Sequence, residues 1–477
     1  MKHSSLVFRV QLAMFKREKG MLVFYLLCIA VMGIIIPIIF HSMESIMPLI
    51  VFMTMMFLKP LLSDSLAGER ERKTLESLLS TSIHGKHIIW GKSRFCISFA
   101  AAFFTLTVAC AVVTYRITGY TPDMTFWQWV CVIFFPLLTF IVISIAGSYA
   151  SAKSADSLTA NSKVSRIAYP FGLLMIIYIT VVFTADPIPT LVTSAILTLV
   201  YLCVLLAYTA KISKMKQADY FENIKIKKSR RTHDNYVTYS VPKSQLGIVF
   251  LHELKYLLTL KTLFLSPFGI WNFCFVPAIF VYLFTFYTGK IDLTYAVLAT
   301  AFMIPRIPLN LISYSIGGEK VYKTGESLLS TPLHVRPLFI AKCMIPILVS
   351  SIMLILSSLL TLAAANLINI FFPGEISVYI YNTEQIILLF PVSIMSCVTM
   401  VFITGVLSVN MKTPRQGLYA SSLVSFVFVI PPLIIVYLTQ NILLWSCMYF
   451  TVLLLGNALC VKNISDKITR PYIMSKL

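Results

Sequence analysis

The chain has 477 residues, of which 58% are hydrophobic and only 12% charged, with a mean hydropathy of +0.84. A soluble globular chain carries about 25% charged residues, and a single core does not grow to hold this much apolar sequence, so the composition excludes a soluble domain. The formal charge of +20 would suit a nucleic-acid binder, but Lys and Arg bracket long apolar runs, as they do in the cytoplasmic loops of membrane proteins.

The N-terminal segment carries Lys2, Arg9, Lys16, Arg17 and Lys19 and is read as cytoplasmic. The first apolar run, 21–40, is too long for a signal-peptide core and has no A-x-A cleavage site, so it reads as a retained span. A span needs about 20 mostly apolar residues. By that measure the first half holds spans near 21–40, 46–66, 95–115, 127–150, 167–185 and 190–210. The second half holds them near 264–287, 293–316, 343–367, 385–409, 418–437 and 440–461. The chain is thus expected to be an all-α integral membrane protein with about 12 transmembrane helices. The layout is 1–210 as a first six-span half, 211–245 as a basic cytoplasmic linker and 246–477 as a second six-span half. With the N-terminus inside, the outside loops hold only Arg116 and Lys290, and Lys59 and Arg306 sit within spans. The other 35 of the 39 basic residues fall in segments expected to be cytoplasmic or at their edges. Miscounting one span would destroy that asymmetry, so the charges support the count independently of hydropathy. Both termini are expected in the cytoplasm.

The ten cysteines lie almost all inside apolar runs and form no CxxC pair, which indicates neither zinc site nor disulfide framework. The basic stretch that includes Lys211, Lys214, Lys225, Lys227, Lys228, Arg230 and Arg231 suits anionic lipid headgroups, at about 1 kcal/mol per basic residue. No recognition module accompanies it, so no nucleic-acid partner is expected.

Two polar loops repeat. Residues 68–92 read GERERKTLESLLSTSIHGKHIIWGK and residues 318–342 read GEKVYKTGESLLSTPLHVRPLFIAK; they align without a gap at an offset of 250, with 12 of 25 positions identical. Each follows the second span of its half. Six spans per half make the repeats parallel, related by an axis along the membrane normal. In the first copy Leu75, Leu78, Leu79 and Ile83 form a narrow apolar stripe at helical spacing, with Glu69, Arg70, Glu71, Arg72, Lys73 and Glu76 around it. The second copy keeps Leu328, Leu329 and Leu333 and has Gly325 in place of Leu75. The Ser80-Thr81 and Ser330-Thr331 pairs are expected to cap the following helix, with Pro332 in its first turn. An interfacial helix resting on lipid explains the stripe. It does not explain so many acids beside an anionic leaflet, and a protein partner that reads both signs of charge does.

The pattern E-x-x-x-K-T-x-E-S-L-L-S-T-[SP] resembles the cytoplasmic loop signature of ABC-2-type permeases. The resemblance implies six spans per half, an amphipathic helix before the first span of each half (6–19 and 246–261), and a coupling helix in the loop between spans two and three. That helix would seat on an ABC ATP-binding subunit, here in two copies. It implies docking contacts at Glu69, Lys73, Thr74, Glu76 and Leu79, and at Glu319, Lys323, Thr324, Glu326 and Leu329. The chain departs from the family's usual form in fusing both halves. Its second loop also loses charges, with Val321 and Tyr322 opposite Glu71 and Arg72.

No P-loop is present: the stretch from Gly85 to Ser93 has five residues between Gly85 and Gly91 and no preceding strand. ATP and Mg are therefore expected on the partner, with no cofactor, metal or catalytic residue in this chain. His84, His87 and His334 read as surface histidines, His252-Glu253 lacks the second His of HExxH, and the Asn463-Ile464-Ser465 sequon falls in a cytoplasmic tail. Two other readings compete. An ion-coupled secondary transporter also shows parallel repeats, but needs ionisable groups near the midplane, and Lys59 and Arg306 lie towards the cytoplasmic ends. An intramembrane enzyme would need paired acids or a Ser-Lys, Ser-His or HExxH set within the spans. The preferred reading is an exporter permease in a bacterial cytoplasmic membrane, with membrane lipids and a small-molecule or peptide substrate as its other partners.

Overall fold

The structure is a computed structural model. It describes residues 2–215 except 18, 40–42, 81–82, 121–123, 155–156 and 185–186, then 246–251, 254, 293–294, 297, 300–301, 306–321, 334–371, 378–411, 441–467 and scattered positions between 417 and 436. Two compact units divide the chain, Met1–Tyr236 and Val237–Leu477. Among the described residues all regular structure is helical, and nine helices are long and apolar enough to cross a membrane.

Six of these belong to the first unit: Met21–Ile38, Ile46–Glu71, Gly85–Thr118, Phe126–Ala152, Thr159–Phe183 and Ile188–Ser213. Each covers one of the six apolar runs of that half. Val335–Leu367, Thr383–Asn410 and Ile442–Lys462 belong to the second unit. The runs at 264–287, 293–316 and 418–437 lie wholly or partly outside the described residues.

The first unit opens with the amphipathic helix α1 (Lys2–Arg17). Its Ser4 and Val7 are buried, while Leu6, Val10 and Met14, at i, i+4 and i+8, are exposed together with Arg9, Lys16 and Arg17. The buried face lies on α7 (Gly85–Thr118). The close approach is at Gly91, where a Cβ would stand 2.7 Å from Val7 Cβ and 2.8 Å from the Ser4 carbonyl oxygen. Further along, Phe99 meets both Phe15 and Tyr25 edge to face, with Tyr25 and Phe99 ring centres 4.6 Å apart, while Phe15 stacks on Tyr25.

The first span consists of α2 (Lys19–Ala30), a π turn at Val31–Ile35 and α3 (Ile36–Ile39). Pro37 has no N–H to give the Gly33 carbonyl four residues back. Thr114 of α7 supplies the missing donor, its hydroxyl 2.9 Å from the Gly33 oxygen. The second span, α4 (Met43–Ser63), runs into a π turn at its end, Asp64–Gly68. Short helices α5 (Glu69–Glu71) and α6 (Thr74–Leu79) follow and lead to α7. The unit is completed by α8 (Phe126–Ala152), α9 (Ser157–Thr184) and α10 (Pro187–Ser213).

The described part of the second unit comprises a helical stretch at 246–251, α11 (Arg306–Val321), α12 (Val335–Phe371), α13 (Thr383–Ile387) with a π turn at Leu388–Val392, α14 (Ser393–Asn410) and α15 (Ile442–Lys467). Several devices recur at equivalent places. Val249 packs on Leu338 and Ala341 of α12, as Val7 packs on α7. Helices α7 and α12 begin at positions 85 and 335, 250 residues apart. Helices α8 and α13 both open with a capping box, Thr125 with Gln128 and Asn382 with Gln385.

Candidate coupling loop

Residues 69–79 do not form the single amphipathic helix that their periodicity suggests. Helix α5 ends at Glu71 and a turn at Arg72–Lys73 places Lys73 at φ 56°, before α6 begins at Thr74. A left-handed conformation at a residue with a Cβ costs about 1–2 kcal/mol, so the surroundings must hold the turn. They do so from both sides. Beneath α6, Leu75 and Leu79 are buried in a cluster with Leu66, Ile88, Ile89, Ile145 and Ala152. Beside α5, four consecutive charged residues each bind a different element.

Glu69 forms an ion pair with Lys92 of α7, whose ammonium also donates to the Ser65 carbonyl. Arg70 Nη2 donates to the carbonyl of Ala152, the last residue of α8, at 2.9 Å. The Glu71 carboxylate accepts from the Ser157 N–H and hydroxyl, both at 2.9 Å. It thereby caps the N-terminus of α9, where a negative charge also meets the favourable end of the helix dipole. Arg72 forks onto Asp64 at the end of α4, with two contacts of 3.2 Å. Gly68 makes that fork possible, because a Cβ there would fall 1.9 Å from Asp64 Oδ1. Ser151 joins the base of α8 to the π turn: its hydroxyl accepts from the Leu66 and Ala67 N–H groups at 3.2 and 3.1 Å and donates to the Ser63 carbonyl at 2.9 Å.

The outward face of α6 carries what remains. Lys73, Thr74, Glu76, Ser77 and Ser80 are exposed. Thr74 Oγ1 donates to the Glu69 carbonyl at 3.2 Å. The Ser80 hydroxyl, expected to cap the third span, instead donates to the Ser77 carbonyl at 2.8 Å and closes α6. The third span starts after His84, which is extended at φ −62°, ψ 139° and makes no side-chain cap. Thr81 lies outside the described residues.

Of the residues expected to dock a partner, the structure thus places Lys73, Thr74 and Glu76 on the surface, ties Glu69 into an internal ion pair, and leaves Leu79 3% exposed within its own unit. In the second copy Glu319 pairs with Lys342 at 2.7 Å, and Lys342 also donates to the Ser315 hydroxyl at 3.0 Å. Lys323, Thr324, Glu326 and Leu329, with Ser330, Thr331 and Pro332, lie outside the described residues. Sequence reasoning missed Lys92, Lys342, Asp64, Ser151 and Ser157. One signal was available: Lys92 and Lys342 are the last identical position of the repeat, each followed by an apolar run.

Among the described residues no group of three His, Cys, Asp or Glu is placed to hold a metal ion. His84 and His87 stack in parallel, ring centres 6.2 Å apart. Within the second span Lys59 donates to the Tyr169 hydroxyl of α9 and lies 3.9 Å from the centre of that ring, which gives this intramembrane ammonium a partner in its own bundle.

No curated protein matches the chain. The sequence model of a family described as ABC-2 family transporter protein matches residues 190–448, more than half of the chain. Together with the apolar helices and the repeated loop, that match makes this chain a multi-pass membrane permease that belongs to the ABC-2 transporter family.

Proposed function

We propose that the chain is the membrane subunit of an ATP-driven exporter that moves an amphipathic or apolar substrate, such as a peptide, a lipid-like molecule or a drug, across a bacterial cytoplasmic membrane. Separate ATP-binding subunits, two per chain, dock on the two repeated loops and carry the ATP and Mg. The chain itself is no enzyme. Twelve spans in two parallel six-helix repeats, residues 1–210 and 246–477 joined by the basic linker 211–245, place both termini in the cytoplasm.

The observation that carries this reading is the two-sidedness of the first loop. Leu75 and Leu79 fasten α6 to its own unit, while Lys73, Thr74 and Glu76 point away from it. A loop whose apolar face is already satisfied, and whose outer face carries both signs of charge, suits a polar protein partner better than a lipid surface. The 12 identities between the two loops support a second, equivalent docking place around Lys323, Thr324 and Glu326.

Purification of the tagged chain from its native cells in mild detergent, with ATPase measurement on the eluate, tests the proposal. A stoichiometric P-loop ATPase should come with the wild-type chain and be lost, with its activity, from the doubly charge-reversed Glu76→Lys, Glu326→Lys variant. A chain that purifies alone and transports in response to a proton gradient would overturn the reading.

A further inference from the structure

The four ties of residues 69–72 are unevenly repeated. The second copy keeps the Glu319–Lys342 pair, but has Val321 in place of Glu71, Tyr322 in place of Arg72 and Tyr314 in place of Asp64. A valine accepts no hydrogen bond, so it cannot cap a helix as Glu71 caps α9, and two tyrosines cannot replace a carboxylate–guanidinium fork. Asp64 and Arg72, partners in the first copy, are thus replaced together in the second.

We propose that Arg70, Glu71 and Arg72 are positioning residues that turn the first loop into a four-way clamp. A displacement of the exposed face of α6 reaches α7 through Glu69, the base of α8 through Arg70, the start of α9 through Glu71 and the end of α4 through Arg72. The second loop lacks the Glu71 and Arg72 ties, so the two loops respond unequally and the first is the stronger driver. This rests on the docking of an ATP-binding subunit proposed above. It adds that docking is transmitted through defined polar contacts in one half, rather than through apolar packing alike in both. The four side chains are one to three residues apart in sequence and their partners span positions 64 to 157, so a rigid turn at Lys73 moves all four together.

The second loop's own sequence supplies the variant. Asp64→Tyr, Glu71→Val, Arg72→Tyr gives the first loop side chains that the repeat already carries. The full chain with its co-purifying ATP-binding subunit is compared by hydrogen exchange in the presence and absence of MgATP with orthovanadate. In the wild-type complex the nucleotide should change exchange in three segments: 74–80, 146–153 and 157–166. In the variant, which keeps Arg70 and its tie to Ala152, the responses at 74–80 and 146–153 should remain and the response at 157–166 should be lost. A response of wild-type size at 157–166 would overturn the clamp, even if resting exchange there had risen, because only a static role would then be left. If the triple variant fails to assemble, Glu71→Ala alone should lose the response at 157–166 and keep that at 146–153; retention of both overturns the clamp equally. A wild-type complex that binds no ATPase, or whose segment 74–80 ignores nucleotide, removes the docking reading itself and the clamp with it.

Discussion

Lys92 and Lys342 occupy the same local situation 250 residues apart. Each ammonium is almost fully buried, with side chains 2% and 3% exposed, and each is answered by an acid 23 residues earlier, Glu69 or Glu319. The remaining partner differs. Lys92 uses the backbone carbonyl of Ser65, and Lys342 uses the side-chain hydroxyl of Ser315. The difference separates what the two copies hold fixed from what they let vary. A buried ammonium needs a counter-charge and further oxygen atoms; the counter-charge is kept in both copies, and the identity of the next oxygen is not.

That comparison can be broken at its strongest point first. Removing one member of a buried ion pair costs about 3–5 kcal/mol, because the other is left uncompensated. Lys92→Met and Lys342→Met should therefore lower the melting temperature of the detergent-solubilised chain alike, and Lys92→Met with Glu69→Gln should recover much of the loss. A Lys342→Met variant that melts as wild type would show that the two pairs are equivalent in geometry only.

The packing of the leading helices gives a smaller effect. Gly91 and Ala341 hold the same position in the repeat, yet only Gly91 lies so close to its leading helix that a Cβ would approach Val7 Cβ to 2.7 Å. Gly91→Ala should cost about 1–3 kcal/mol by overpacking and loosen α1, which faster tryptic cleavage at Arg9 and Arg17 would report. Ala341→Gly overpacks nothing and should leave tryptic cleavage at Lys243 and Lys255, on either side of 246–251, near its wild-type rate.

The smallest effect is at the fork. Arg72 has a side chain 36% exposed, and pairs of this kind contribute up to about 1 kcal/mol, less as salt rises. Asp64→Asn should lower stability slightly at low ionic strength and barely at high, measured as the difference in melting temperature. A large, salt-independent loss would mean that the fork carries much more than its exposure implies.

The first unit's spans were legible in the sequence because each is a run of apolar residues longer than any soluble helix needs. The repeat was legible because polar identity at one offset is rare by chance. Residues 69–72 were legible only as charges. Their partners Ala152 and Ser157 lie more than eighty residues away, and no periodicity connects positions so distant. The break at Lys73 was hidden for a related reason: nothing in a lysine favours φ 56°, and the turn exists because the leucines below and the ion pairs beside it over-determine the backbone. Leu79 illustrates the ambiguity of an apolar stripe. Spacing showed that one face of the loop would be covered, and only the structure shows that Leu66, Ile88 and Ile145 cover it.

The length of α7 has a consequence of its own. Its 34 residues make a rod of about 51 Å, whereas the hydrocarbon layer is about 30 Å thick. Roughly 20 Å of rod therefore stands clear of the hydrocarbon at one end or the other, and the Lys92 contact is made near the rod's first residues. A rod held near the membrane surface is a lever whose longer arm crosses the bilayer. Turning it by about 5° carries the far end about 4 Å, so a shift at the loop no larger than a hydrogen bond's length is magnified on the opposite side of the membrane. Helix α12, at 37 residues, is built to the same proportion.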